Sequence, residues 1–147
     1  MGDKKKILVI NGPNLNLLGL REPDIYGKES YAALQELLRQ TAQRLDVELT
    51  EMQSNHEGVI VDAIQQAWGV YDGIVINPAA YTHTSVAILD ALKAVSIPTV
   101  EVHLSDISQR ESFRQFSYVS MAAVKTVCGK GFAGYVEALE YLLNHVL

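Results

Sequence analysis

The sequence predicts an α/β fold with five parallel strands and helices on both faces of the sheet. Short apolar runs of strand length alternate with helix-length amphipathic segments along the 147 residues. Two of the runs, 7–10 and 73–76, are continuously apolar, which is typical of strands covered on both faces. No repeat, low-complexity stretch or interdomain linker interrupts the alternation, so we expect one domain spanning 1–147.

The first half of the chain gives two strands and two helices. The first strand is expected at 6–10, and a helix follows from Ser30, whose hydroxyl can cap it. Segment 47–52 alternates apolar and polar residues, which predicts a strand with one partly exposed face. Segment 54–69 opens on Ser-Asn, carries apolar residues at helical spacing and ends at a glycine, so it predicts the second helix.

The second half continues the pattern. A strand at 73–76 stops at Asn-Pro, and the third helix opens at Thr84 or its neighbours. The fourth strand is expected at 99–104, the fifth at 122–128 and the last helix at 131–147. Five such strands in this length indicate a flavodoxin-like, doubly wound sheet, in which ligands bind beyond the carboxyl ends of the strands.

Composition excludes several classes of protein. The residues are 48% hydrophobic and 20% charged, which is typical of a globular protein. The net charge of −5 argues against nucleic-acid binding, and no apolar stretch approaches the roughly 20 residues that a membrane span needs. The single cysteine, Cys128, excludes an internal disulfide and suits a cytoplasmic protein.

Polar residues mark the ends of three predicted strands, where parallel topology brings them to one edge. The residues are Asn14, Asn77, His83 and His103. Glu101 and His103 are two residues apart on one strand, so their side chains face the same side and need partners. Each signal alone also fits a structural role, a turn for asparagine or an ion pair for Glu101 and His103. Together they favour a site in which Glu101 orients and charges an acid–base histidine.

Other kinds of site are poorly supported. The four histidines are scattered and lack paired metal-ligand spacing, and Cys128 lies in an apolar strand typical of core. The glycine-rich stretches match neither dinucleotide nor phosphate-loop fingerprints. We therefore expect no metal site, and nucleotide binding is unsupported.

Five motifs, in order, resemble the type II 3-dehydroquinate dehydratases. They are NGPNLNLLGLREPDIYG, QSNHEG, INPAAYTHTSVAI, VEVHLSD and RESFRQFSYVS, and the resemblance runs from about residue 7 to the last helix. It implies a cofactor-free lyase of the shikimate pathway that reversibly dehydrates 3-dehydroquinate to 3-dehydroshikimate through an enolate.

The resemblance also implies catalytic roles. Tyr26 would remove the proton α to the ketone, and Arg21 would hold it near its anionic form. His103, paired with Glu101, would protonate the departing hydroxyl, and Asn14 would help to stabilise the enolate through a bound water. A free tyrosine has a pKa of about 10, so it needs a nearby guanidinium to act as a base at neutral pH.

The binding roles follow in the same way. The residues implied to grip the substrate's hydroxyls are Asn77, His83 and Arg114. Leu104 and Ser105 would hold its carboxylate through backbone N–H groups. Asp90 would reach the site of a neighbouring subunit, because the family usually forms dodecamers built from trimers. We also expect the loop that carries Arg21 and Tyr26 to be mobile without ligand.

Two positions depart from the family pattern: Ala79 stands where glycine is common, and Asp106 where asparagine is expected. Asp106 adds a negative charge near the expected carboxylate pocket. The alternative function is a non-catalytic ligand-sensing module that keeps the same pocket, which the base and acid residues disfavour. A phosphate- or flavin-binding protein is disfavoured by the missing phosphate loop.

Overall fold

A computed structural model of the protein describes residues 3–20 and 29–147. Within them, five strands form one parallel sheet in the order β2-β1-β3-β4-β5. This is the flavodoxin-like strand order, and it confirms the predicted fold class. The strands are β1 (Lys6–Asn11), β2 (Glu48–Gln53), β3 (Gly73–Asn77), β4 (Thr99–His103) and β5 (Lys125–Cys128).

In the described part of the chain, four α-helices connect or follow the strands: α1 (Tyr31–Leu45), α2 (Glu57–Ala67), α3 (Val86–Val95) and α4 (Ala133–Tyr141). Ser30 caps α1 as predicted, because its Oγ accepts from the Ala33 N–H at 3.1 Å. Ser85 caps α3 in the same way, through the Ile88 N–H at 2.9 Å. Short 3₁₀ turns lie at Leu15–Leu17, Ala79–His83, Ile107–Gln109, Ser112–Arg114 and Val119–Met121.

Several predicted boundaries were wrong by two or three residues, including the start of α2. The fifth strand starts at Lys125 rather than 122, because the N–H groups of Ala122 and Ala123 bond to the Val119 carbonyl and continue a turn. The last α-helix begins at Ala133, and its end widens into a π-helical turn at Leu142–Val146.

The core has two parts, one on each face of the sheet. Apolar residues of α1 and α4 pack on one face, together with Val75, Val100 and Val102 of the central strands. Apolar residues of α2 and α3 pack on the other face, against Ile74 and Ile76. In the described ranges, no helix has both the length and the apolar character needed to cross a bilayer.

The carboxyl ends of β1 and β3 approach each other closely. The Gly12 N–H donates to the Asn77 carbonyl at 2.8 Å. A Cβ at position 12 would lie only 2.5 Å from the Pro78 carbonyl oxygen, so only glycine fits between the two strand ends. This contact fixes the edge of the sheet at which the predicted site residues lie.

Ala79 follows this contact in a left-handed conformation, with φ at 52°. A side chain in that region costs about 1–2 kcal/mol, a cost that glycine does not bear. The glycine that the resemblance implies at this position would therefore have a backbone reason. The departure noted in the sequence leaves local strain in the turn that leads to His83.

We expect Ala79→Gly to change the free energy of unfolding by about 0 to +1 kcal/mol, because relief of strain offsets the greater unfolded-state entropy of glycine. Ala94→Gly is the control, since Ala94 is exposed in the right-handed backbone of α3. It should cost roughly 0.5–1 kcal/mol. Urea unfolding of both variants measures the difference, and equal losses would contradict the strain at Ala79.

Candidate active site

Glu101 and His103 form a buried pair at the carboxyl end of β4. Glu101 is 0% exposed and His103 is 5% exposed. The Nε2 of His103 hydrogen-bonds the Glu101 carboxylate, which confirms that the two side chains share one side of the strand. Val100 and Val102 pack on the α1 and α4 face, so Glu101 takes a position on the opposite face, among apolar residues.

Four hydroxyl groups complete the surroundings of the Glu101 carboxylate; we call them the hydroxyl cage. Thr82 and Ser117 donate to Oε2, at 3.0 and 2.6 Å. Ser120 and Thr126 donate to Oε1, the latter at 2.9 Å. Among the described residues, the carboxylate thus has five donors when His103 is included. Sequence analysis missed the cage because single Ser and Thr residues, in turns or on a strand, carry no distinctive pattern.

The cage and His103 determine the ionisation of Glu101. Burial raises the pKa of the Glu101 carboxyl, but the hydrogen bond and charge of His103 and the bonds from Ser117 and Ser120 outweigh it and bring the pKa to about 2. Glu101 is therefore anionic throughout the physiological range.

The pair also fixes the tautomer of His103. A carboxylate can only accept, so Nε2 carries a proton and Nδ1 is the nitrogen left to serve a bound molecule. In the neutral imidazole Nδ1 is an acceptor, and in the imidazolium it is a donor. A histidine held this way can deliver one proton through Nδ1 while Nε2–H stays on the carboxylate.

His83 is oriented by the segment that follows β4. Its Nδ1 lies 2.8 Å from the Phe116 carbonyl oxygen, which only accepts, so Nδ1 carries the proton. The half-buried ring then presents Nε2 as an acceptor suited to a hydroxyl group. The Tyr118 N–H donates to the Thr82 carbonyl at 2.8 Å and ties the two segments together.

Asn77 lies at the end of β3 and is bound from the other face of the sheet. It is 3% exposed; its Nδ2 donates to Tyr135 Oη at 3.0 Å and its Oδ1 accepts from the Ala79 N–H at 3.1 Å. Tyr135 Oη in turn donates to Asn11 Oδ1 at 2.6 Å. Asn11 Nδ2 donates to Glu51 at 3.0 Å, and Tyr31 donates to the same oxygen at 2.6 Å. Sequence analysis did not single out Asn11 or Tyr135.

The turn after β4 offers free donors. Neither the Leu104 nor the Ser105 N–H enters a backbone hydrogen bond with any residue in the described ranges. Arg110, which sequence analysis missed, donates through Nη1 to Ser105 Oγ at 3.2 Å. Asp106 is exposed, and bonds from the Ser108 hydroxyl and N–H lower the pKa of its carboxyl. The turn therefore holds a cation and a persistent anion side by side.

Arg114 belongs to the 3₁₀ turn Ser112–Arg114. Its Nε lies 3.0 Å from the Glu111 carboxylate, and its guanidinium stacks 5.0 Å from the centre of the Phe113 ring. The side chain is about one-third exposed. Glu111 and Phe113 thus restrain the guanidinium without covering it.

Four predicted residues are exposed or lie outside the described ranges. Asn14 is exposed in a left-handed conformation, and its N–H donates to Asn55 Oδ1 at 3.0 Å. Asp90 is exposed in the middle of α3. Arg21 and Tyr26, together with the prediction of a mobile loop, lie outside the described residues.

The described histidines, cysteine and carboxylates offer no group of three that could hold a metal ion. Donors at this edge are instead hydroxyls, amides, backbone N–H groups and two guanidinium groups. Such a set suits a polar, anionic organic molecule.

We expect Tyr135→Phe to lower the free energy of unfolding by about 1–3 kcal/mol, because it strips partners from the buried amides of Asn11 and Asn77. Tyr141→Phe on the same helix is the matched control. Its ring stacks with Lys125, and none of the described hydrogen bonds uses its hydroxyl. The control should change stability by less than about 0.5 kcal/mol. Equal losses of stability in Tyr135→Phe and Tyr141→Phe, measured by denaturant unfolding, would contradict a stabilising role of the hydrogen bonds made by Tyr135.

The low pKa of Glu101 predicts a specific acid dependence. A carboxyl with a depressed folded-state pKa stabilises the fold above its ordinary value of 4.5, and this contribution is lost as the pH falls toward about 2. The loss is about 3 kcal/mol. The Glu101→Gln variant has no carboxyl group to protonate. Its loss of unfolding free energy relative to the wild type at pH 7 should therefore shrink as the pH falls from 4.5 toward about 2. The test is the unfolding free energy of the wild type and of Glu101→Gln at several pH values. A constant difference between the two proteins at every pH would contradict the prediction.

Comparisons with known proteins agree with this geometry. Residues 5–143 match the family model described as dehydroquinase class II. A 3-dehydroquinate dehydratase from Gloeothece citriformis is 56% identical over 140 residues, covering 92% of each chain. A catabolic 3-dehydroquinase from Verticillium alfalfae is 53% identical, covering 96% of this chain and 94% of the relative.

Solved structures give the same result. The crystal structure of the type II dehydroquinase from Butyrivibrio crossotus superposes with a TM-score of 0.93 at 48% identity, covering 97% of this chain and 100% of the other. The family model covers nearly the whole chain, and the relatives match it over nearly their full lengths. The chain therefore belongs to the dehydroquinase class II family, as its motifs predicted.

Proposed function

We propose that this hydro-lyase reversibly dehydrates 3-dehydroquinate to 3-dehydroshikimate, through an enolate and without a cofactor. The buried Glu101–His103 pair at the carboxyl end of β4 carries the proposal, because it is an oriented proton donor at the edge where ligands bind. Relatives named as 3-dehydroquinate dehydratase and as catabolic 3-dehydroquinase match at 56% and 53% identity, so the proposal concerns the dehydration that both names imply.

The first step is removal of the proton α to the ketone. Tyr26 is the base, and Arg21 stabilises its phenolate, because a guanidinium stays charged at every working pH. The electron pair moves onto the carbonyl oxygen and forms the enolate. Asn14 stabilises this oxygen through a water molecule, an oxyanion-type role for a neutral donor.

The second step expels the hydroxyl group. Hydroxide is a poor leaving group, so the His103 imidazolium donates its Nδ1 proton to the departing oxygen and water leaves. Glu101 keeps Nε2–H in place and balances the charge of the imidazolium beforehand. The proton taken by Tyr26 and the proton given by His103 balance over the cycle.

Substrate binding uses the remaining donors and acceptors at this edge. The unused N–H groups of Leu104 and Ser105 hold the substrate carboxylate, with Arg110 nearby. The proposed contacts to the hydroxyls come from Asn77, His83 and Arg114. The fixed tautomer of His83 supports its role, because Nε2 accepts from a hydroxyl.

The functional form is an assembly of several copies. Asp90 contacts the site of a neighbouring subunit in a dodecamer built from trimers, and its exposure on α3 supports this role. Large apolar side chains also lie exposed near this part of the fold, and they support association between copies: Val59, Val86, Phe113, Phe116, Met121 and Val124. We place the enzyme in the cytoplasm and in the shikimate pathway, with 1–147 as one catalytic domain.

Tyr26→Phe should lower the rate of 3-dehydroquinate turnover by about 10²–10⁴-fold, since the ring stays and only the base is lost. The measurement is the ultraviolet absorbance of the conjugated enone in the product. Tyr71→Phe is the control, because Tyr71 lies just before β3, at the opposite edge of the sheet. It should turn over at the wild-type rate.

Three outcomes would separate the possibilities. Equal rates in Tyr26→Phe and wild type would keep the reaction and remove Tyr26 as the base. A folded wild-type protein that binds 3-dehydroquinate without turnover would favour the ligand-sensing module. Loss in Tyr71→Phe as large as in Tyr26→Phe would indicate a general structural effect.

A further inference from the structure

The hydroxyl cage joins three segments of the site around one carboxylate. Thr82 belongs to the turn that carries His83, Ser117 and Ser120 follow the turn that carries Arg114, and Thr126 lies on β5 opposite Glu101. Within the cage, the hydroxyl oxygens of Thr82 and Ser117 are 2.5 Å apart. The Ser120 N–H also donates to Ser117 Oγ at 3.2 Å, which fixes that hydroxyl as an acceptor as well as a donor.

The donors around Glu101 match what a carboxylate can accept. A carboxylate offers about four lone-pair sites; because one hydroxyl proton lies between Thr82 and Ser117, three cage hydroxyls and His103 can donate to it at once. A protonated Glu101 would give up one of these bonds, because its O–H occupies one lone-pair site. The low pKa of Glu101 therefore disfavours transfer of the Nε2 proton from His103 to Glu101, and the proton that moves in the proposed reaction is the one on Nδ1.

The cage also limits how strongly Glu101 holds the imidazolium. A buried carboxylate with a single partner would stabilise the charged imidazole strongly and make it a weaker acid. Hydroxyl donors spread the negative charge over neutral dipoles, so less of it acts on His103. Assuming the proposed function, we infer that the four cage hydroxyls are positioning residues that set the acid strength of His103 through Glu101.

Few other charged groups act on the pair from the described elements. Cys128 lies opposite His103 in the pairing of β4 with β5, and burial and the charge of Glu101 raise the pKa of its thiol, so it is neutral. The charge of Asp106, in the exposed turn after β4, also raises the pKa of the Cys128 thiol. On the β3 side, Glu101 is paired with Ile76, which carries no charge. After His103, the hydroxyls are thus the groups that bond to Glu101.

Thr126→Val and Thr82→Val test the inference, one at each carboxylate oxygen, because valine fills the same space without the hydroxyl. A less shielded Glu101 holds the imidazolium more tightly, so the alkaline limb of kcat against pH should move upward by about half a unit or more. The rate at neutral pH should fall about two- to threefold, with KM unchanged, since the acid is weaker. The double variant should show the larger shift.

Two controls separate tuning from a structural effect. Thr41→Val removes a buried hydroxyl that donates to the Leu37 carbonyl at 2.7 Å in α1, far along the chain from the site. It should lose stability without a change in the pH profile. Thr126→Ser keeps a hydroxyl and should restore the wild-type profile. The inference would be overturned if Thr126→Val and Thr82→Val fold and keep the wild-type dependence of kcat on pH.

A failure of the proposed function would be visible separately. If the wild-type protein does not turn over 3-dehydroquinate, the imidazole signals of His103 can be titrated by NMR without substrate. A higher pH midpoint of the His103 signals in Thr126→Val, with no such change in Thr41→Val, would support the tuning role of the cage. An unchanged titration would overturn it.

Discussion

A buried negative charge constrains this molecule more than any other feature. Moving a carboxylate out of water costs several kcal/mol, and only well-placed donors offset that cost. Glu101 finds them on the turn after β3, on the 112–121 segment and on β5, as well as on His103 of its own strand. These segments also carry His83 and Arg114. Assembling the donors for one charge therefore brings the segments of the site together, so the fold and the site depend on the same contacts.

The two faces of the sheet hold their buried polar groups by different kinds of contact, neutral on one face and charged on the other. On the α1 and α4 face, the ends of β1 and β3 are held by the neutral chain of Asn11, Tyr135 and Asn77. Burial raises the pKa of the Tyr135 hydroxyl, so it stays protonated and acts as donor and acceptor together. None of these three side chains carries a charge, although Asn11 also donates to the Glu51 carboxylate. The chain supports the strand ends, while the charged network on the opposite face holds His103.

Periodicity and strand-end residues predicted the five parallel strands and the Glu101–His103 pair because both depend on local patterns. Alternation along β4 alone places the two side chains together. The cage could not be predicted in this way, since its four hydroxyls come from segments up to 44 positions apart that meet only in the folded sheet. The apolar residues before Lys125 resemble strand, but backbone bonds to Val119 hold two of them in a turn. Ala79 shows strain only through its φ, which no sequence pattern reports.

The charge of the pair explains why the site uses so many neutral donors. With His103 protonated, the pair carries no net charge; after the proton leaves, Glu101 stands alone as a buried anion. A second cation beside Glu101 would stabilise that anion. It would also repel the positive charge of the imidazolium and so favour loss of its proton before the proposed reaction. Hydroxyl dipoles stabilise the anion and oppose the cation less than a second positive charge would. A cage of Ser and Thr therefore serves both protonation states, which neither a cation nor an apolar pocket would do.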